Sequence, residues 1–108
     1  MNRIVRTDIF DRWLSELKDA RGKARIIKRI RSAERGNFGN CEPVGAGVSE
    51  MLIHFGPGYR VYFTRIDDVT YVLLCGGTKR GQQRDILITL ILKIAQGEVV
   101  HLYDSFQL

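Results

Sequence analysis

Three side chains close together in the sequence, His54, Arg60 and Tyr62, have the chemistry to handle a phosphodiester. In the run Gly58-Tyr59-Arg60-Val61-Tyr62-Phe63, strand alternation places Arg60, Tyr62 and Thr64 on one face and Tyr59, Val61 and Phe63 on the other. A guanidinium beside a phenol can hold a phosphate through a bidentate fork and stack on a base. The same face also reads as an ordinary solvated strand surface. His54 shares its strand face with Glu50 and Leu52, and the tight Gly56-Pro57-Gly58 turn folds it back toward Arg60. An imidazole there can act as general acid or base, although a lone histidine on a strand is more often structural. Lys79 and Arg80 follow Gly76-Gly77 at the end of the next strand and bring two further cations toward Arg60. Cleaving RNA without a metal needs help for the 2′-oxygen attack, cations for the charged phosphorane and an acid for the leaving 5′-oxygen. The bland alternative makes Gly76 to Gly81 a flexible, solvated connection.

These residues have to be held by a small fold. Arg3 to Arg6 is a short β-branched strand, after which Thr7 or Asp8 can cap a helix. Phe10, Trp13, Leu14 and Leu17 recur at the spacing of an amphipathic helix that Gly22 would stop. Lys23 to Arg35 forms a second helix, with Ala24, Ile27, Ile30 and Ala33 inward and Arg25, Lys28, Arg29, Arg31 and Arg35 largely outside that stripe. Residues 37–47 read as irregular. Val48 to Phe55, Tyr59 to Ile66 and Val69 to Leu74 make a three-stranded antiparallel meander, and Gln82 to Ala95 a final helix. The expected class is α+β in the order β-α-α-β-β-β-α, with an N-terminal strand and a helical hairpin packed on an antiparallel sheet and the helices on one side.

A chain of 108 residues has room for one domain. The net charge of +5 is concentrated in the N-terminal third, where residues 1–36 hold eleven Lys or Arg against five Asp or Glu. That excess suggests an anionic partner, and Lys28 and Arg29 are the candidate RNA contacts on the basic helix. Cys41 and Cys75 show neither CxxC spacing nor accompanying histidines, so neither a disulfide framework nor a metal site is expected. The Gly76 to Gly81 stretch lacks the GxxxxGK[ST] pattern of a phosphate loop. No cofactor is expected. No segment reads as a secretory signal or a membrane span, so the expectation is a cytoplasmic protein without a membrane partner.

At its centre the sequence resembles a known family. The run from Ser49 to Phe63, with Val72-Leu73-Leu74-Cys75-Gly76-Gly77-Thr78-Lys79-Arg80, Gln82-Gln83-Arg84-Asp85-Ile86 and the opening Phe10-Asp11-Arg12-Trp13-Leu14, is similar to phage-derived Gp49-like, HigB-type proteins of the bacterial RelE/ParE toxin superfamily. That resemblance, over about residues 3 to 88, implies a RelE-like fold and a metal-independent endoribonuclease cutting messenger RNA at the ribosome. It also implies a cognate antitoxin, expected to be of helix-turn-helix type. By position it implies that Arg60 contacts the scissile phosphate, that Arg80 is the basic residue closing the last strand and that His54 stands where relatives carry Lys or His. Leu52 replaces a basic residue of the relatives, and Ile86 stands about where some have a tyrosine. The ParE branch implies the alternative of a gyrase poison, and a degenerate member that only binds antitoxin is a third reading. Residues 89–108 are more apolar than in relatives. They are expected to be covered by the antitoxin or by a second copy in a homodimer, or else to return as a strand beside Arg3 to Arg6.

Overall fold

A computed structural model of the chain describes residues 1–95 and 102–104, with side chains for residues 1–89. Strand β1 (Arg3–Thr7) leads directly into α1 (Asp8–Glu16). Thr7 makes that junction: its hydroxyl accepts from the Phe10 amide and donates to the Leu74 carbonyl, so one side chain caps the helix and ties it to the sheet. Helix α2 (Ala20–Glu34) is capped by Asp19, whose carboxylate accepts from the Gly22 amide. Gly22 therefore does not stop the first helix. It sits in the first turn of α2 against Tyr59, where a Cβ would collide with the ring. The buried stripe of α2 is Ile26, Ile30 and Ala33, while Ala24 is exposed, so the helix is rotated from the expected face.

Four strands follow: β2 (Cys41–Gly45), β3 (Val48–Ile53), β4 (Tyr59–Arg65) and β5 (Thr70–Thr78). A 3₁₀ turn (Lys79–Gly81) then leads into α3 (Gln82–Ala95), and β6 (Leu102–Asp104) completes the described chain. The sheet order is β2-β3-β4-β5-β1-β6.

The α+β class holds, and four details depart from the sequence reading. The sheet is mixed, because β1 runs parallel to β5, a pairing permitted by the long connection through α1, α2 and the strands β2 to β4. The segment expected to be irregular contains β2, an edge strand paired with β3. Strand β5 continues through Gly76-Gly77 instead of ending at Leu74. Helices cover both faces: α1 and α2 enclose Ile4, Met51, Val61, Phe63 and Leu73 on one side, while Val5, Tyr62, Val72 and Leu74 form a second cluster with Ile86 of α3 on the other.

A bulge re-phases β5. Tyr62 faces Cys75 and Phe63 faces Leu73, leaving Leu74 unpaired. Beyond it Gly76 lies under Trp13 and Gly77 under Asp85, each so close that a Cβ would overlap its neighbour.

Strand β6 pairs antiparallel with β1, so residues 102–104 return to the sheet beside Val5, Arg6 and Thr7, at the end of the strand expected over Arg3 to Arg6. The expected antitoxin or homodimer surface on the apolar tail otherwise falls on residues 96–101 and 105–108, outside those described, and on side chains beyond residue 89.

Candidate nucleic-acid interface

The polar face of β4 is closed. Helix α3 packs against β5 and β4 and covers Arg60 and Tyr62, which are 8% and 0% exposed. Arg60 Nη1 lies 3.6 Å from Glu50 Oε1, and Gln82 at the start of α3 donates to both Glu50 oxygens at 2.9 and 3.1 Å. Among the described residues, the buried side-chain atoms Arg60 Nε, Tyr62 Oη and Asp85 Oδ2 lack a hydrogen-bond partner. Burial raises the Tyr62 phenol pKa, helped by the nearby Glu50 and Asp85 carboxylates. Burial also raises Asp85 above the usual carboxylate value, with Arg84 pulling the other way. Thr64, on the same face, donates to the Gly47 carbonyl at 2.9 Å. The expected open surface for RNA is thus an interior layer. Its polar residues are buried because apolar α3 needs a sheet face to pack on.

An open cationic cleft lies on the opposite side, along α2. His54 is exposed just beyond β3 and lines a cleft of about 300 Å³ with Arg25, Lys28, Arg29, Ser32 and Ile53. Its Nε2 is 2.9 Å from Asn40 Nδ2. Arg25 stacks over the Phe55 ring, 4.3 Å from its centroid. Arg29 serves the scaffold: its guanidinium donates to the carbonyls of Leu52, Phe38 and Asn40 at 2.6, 2.9 and 3.2 Å. Lys28 and Arg25 are left to meet a ligand. Residues 25, 28 and 32 recur three and four apart, so one helix face carries this wall. That spacing was readable in the sequence, which singled out only Lys28 and Arg29.

Lys79 and Arg80 are exposed in the 3₁₀ turn. Arg80 lines a second cleft, of about 440 Å³, with Thr78, Gly81 and Arg84. The Lys79 amide donates to the Gly58 carbonyl at 2.8 Å. Register puts Ile53, Tyr59 and Thr78 in one cross-strand row, so His54 and the Lys79-Arg80 pair stand at the same end of the sheet. The expected trio does not converge. Arg60 points into the α3 layer, His54 lies beside α2 because the chain bends after Ile53, and Arg80 stands with Arg84. Sequence reading missed Arg25, Ser32, Asn40 and Arg84 as members of these sites.

Among the described residues no cluster of three or more His, Cys, Asp or Glu could hold a metal, and no helix is long and apolar enough to cross a membrane. The chain is 47% identical over 83 residues to an uncharacterized protein of Haemophilus influenzae, a match spanning 77% of this chain and 84% of the Haemophilus protein. The two belong to one family. No family model matches the chain.

Proposed function

We propose that this protein is a toxin of the RelE kind, a metal-independent endoribonuclease that cuts messenger RNA at the ribosome and is restrained by a cognate antitoxin. One observation carries the reading: an exposed histidine lines an open cleft together with the exposed cations Arg25 and Lys28 of a basic helix. Support also comes from the resemblance of Ser49 to Phe63 and of the Gly-Gly-Thr-Lys-Arg run to that superfamily. In the cleft, Arg25 and Lys28 would hold a phosphodiester and stabilise the charge of the phosphorane. The ribose 2′-hydroxyl loses its proton to solvent water as its oxygen attacks phosphorus, the bond to the 5′-oxygen breaks to leave a 2′,3′-cyclic phosphate, and His54 delivers the proton that makes the leaving oxygen a 5′-hydroxyl. General acid catalysis of this kind contributes roughly 10²- to 10⁴-fold.

The test is cleavage of a translated message in a purified translation mixture. His54→Ala should lower the cleavage rate by about 100-fold or more with folding retained. Undiminished cleavage by that variant would remove His54 from the chemistry. The enclosure of Arg60 and Tyr62 beneath α3 favours a second reading, a member that binds its partners without cutting. In that case expression leaves transcripts intact, whereas double-strand breaks in DNA would mark the gyrase-poison reading.

A further inference from the structure

The two clefts open at one end of the sheet, on either side of the turn that joins β3 to β4. Ile53 and Thr78 are two strand positions apart in the same row, a backbone separation of about 10 Å at the usual inter-strand spacing. Arg25 and Lys28 belong to α2, on one face, and Arg84 belongs to α3, on the other. Between them runs Gly56-Pro57-Gly58, held down by the hydrogen bond that the Lys79 amide donates to the Gly58 carbonyl. Gly56 and Gly58 have φ of 55° and 78°, so the tight turn favours glycine at both places, and neither brings a side chain. Pro57 is exposed, and the Phe55 ring beside it is stacked under Arg25. The result is a low saddle flanked by cations. Asp19 is the nearby opposing charge, with one oxygen 3.7 Å from where a Gly56 Cβ would be. It is engaged by the Tyr59 hydroxyl and the Gly22 amide.

We propose that one single strand of RNA binds around this end of the sheet. It runs from the Arg25-Lys28-His54 cleft, across the Gly56-Pro57-Gly58 saddle, to a second phosphate site formed by Arg80 and Arg84. This rests on the RNA-directed reading above and adds the path and the second site. The opposite placement of the clefts selects the strandedness. A ligand that reaches both must turn over the sheet end within about 10 Å, and a base-paired duplex, whose stiffness for DNA extends over about 150 base pairs, does not bend so sharply. A single strand does, and its phosphates meet cations on both sides while the bare turn leaves room for its backbone.

The experiment is fluorescence polarisation with the full chain, using a labelled oligouridylate of about 12 nucleotides and an RNA duplex of the same length, titrated over a range of salt. The single strand should bind more tightly than the duplex. Lys28→Gln and Arg80→Gln should each flatten the slope of log affinity against log salt by about 0.7, and the double variant by about 1.4. Pro57→Glu places a negative charge on the saddle and should weaken binding about tenfold. Ile66→Glu makes the same charge change at the far end of the sheet and should stay within about twofold. Both sites are exposed, so neither change threatens the fold. Equal affinity for the duplex, an unchanged slope for Arg80→Gln, equal effects of the two glutamates, or no single-strand binding at low salt each overturns the path. If all of these binding results hold while messages remain uncut, the endoribonuclease reading fails and the strand path stands.

Discussion

The α3-covered face and the α2 cleft hold similar side chains under opposite conditions. Beneath α3, Arg60 and Tyr62 sit with the carboxylates of Glu50 and Asp85, all of them buried. Along α2, Arg25 lies on the Phe55 ring beside His54, open to solvent. An arginine, an aromatic ring and a group able to carry a proton occur in both. Water separates their roles. In the buried layer each charge must find a partner inside the protein, so Arg60 is turned toward Glu50 and contributes to holding α3. In the cleft Arg25 and Lys28 stay exposed to solvent while Arg29 is tied to the scaffold, and exposed cations are the condition for binding an incoming anion. Residue type proposes chemistry, and burial decides whether a ligand can reach it.

The largest expected effect breaks the closed side. Arg60→Ala leaves Glu50 buried with Gln82 as its remaining neutral donor, and should destabilise the protein by about 3 kcal/mol in urea unfolding. Replacing the pair together, Arg60→Met with Glu50→Leu, should recover most of that loss, since the uncompensated charge is gone. If the double variant is as unstable as the single one, the ion pair is not what Arg60 contributes. If either variant loses RNA binding while still folded, the face under α3 is reached by ligand and the contrast between the regions collapses.

A smaller effect, of opposite sign, comes from Asp85. Its carboxyl is raised by burial and Oδ2 has no hydrogen-bond partner, so ionisation costs the folded state. With a folded pKa above the unfolded value of 3.8, the penalty is complete above the folded pKa and vanishes as pH falls toward 3.8. Asp85→Asn removes that titration. It should stabilise by about 1 kcal/mol at neutral pH, and the advantage over the parent should shrink as pH falls to about 4. Asp19 and Asp67 do not mask this, because both are lowered by hydrogen bonds, and their contributions are lost only as pH falls below the ordinary range. Urea midpoints at the two pH values decide, and an advantage constant with pH would show that the Asp85 charge is not the source.

How much of this was legible in the sequence follows from the same contrast. Periodicity marked β1, both hairpin helices, β3 and β4, because each buries at least one regular apolar face. It could not mark β2, whose Cys41-Glu42-Pro43-Val44-Gly45 run sits at an edge with little buried and contains Pro and Gly. The bulge at Leu74 was equally invisible, and with it the reason for two successive glycines: they face opposite sides of the sheet, one under Trp13 and one under Asp85. The polar face of β4 misled because Arg, Tyr and Thr do not advertise burial. The counter-signal lay in α3, whose apolar content demanded a sheet face to cover. The placement of His54 was lost for a different reason. Strand alternation assigns it to the Glu50 face, but β3 ends at Ile53 and alternation stops with it.

The smallest expected stability change belongs to the open side, and two adjacent residues show it. Lys28 is exposed on α2 and lines both the His54 cleft and a further cleft with Ala24, Ile27, Arg31 and Arg35, distinct from the one at Arg80. Arg29, one residue on, is tied to three carbonyls. Lys28→Gln should change stability by no more than about 0.5 kcal/mol, the ordinary range for surface positions. The same substitution removes a charge that phosphate would use, so its cost should appear in RNA affinity and its salt slope. Arg29→Ala should do the reverse, lowering stability by about 1 to 2 kcal/mol through its lost charged hydrogen bonds. Urea unfolding and polarisation binding on the two variants place them on opposite sides of the comparison. If Lys28→Gln proved as destabilising as Arg29→Ala, the α2 surface would be scaffold throughout and the open cleft would no longer stand as a ligand site.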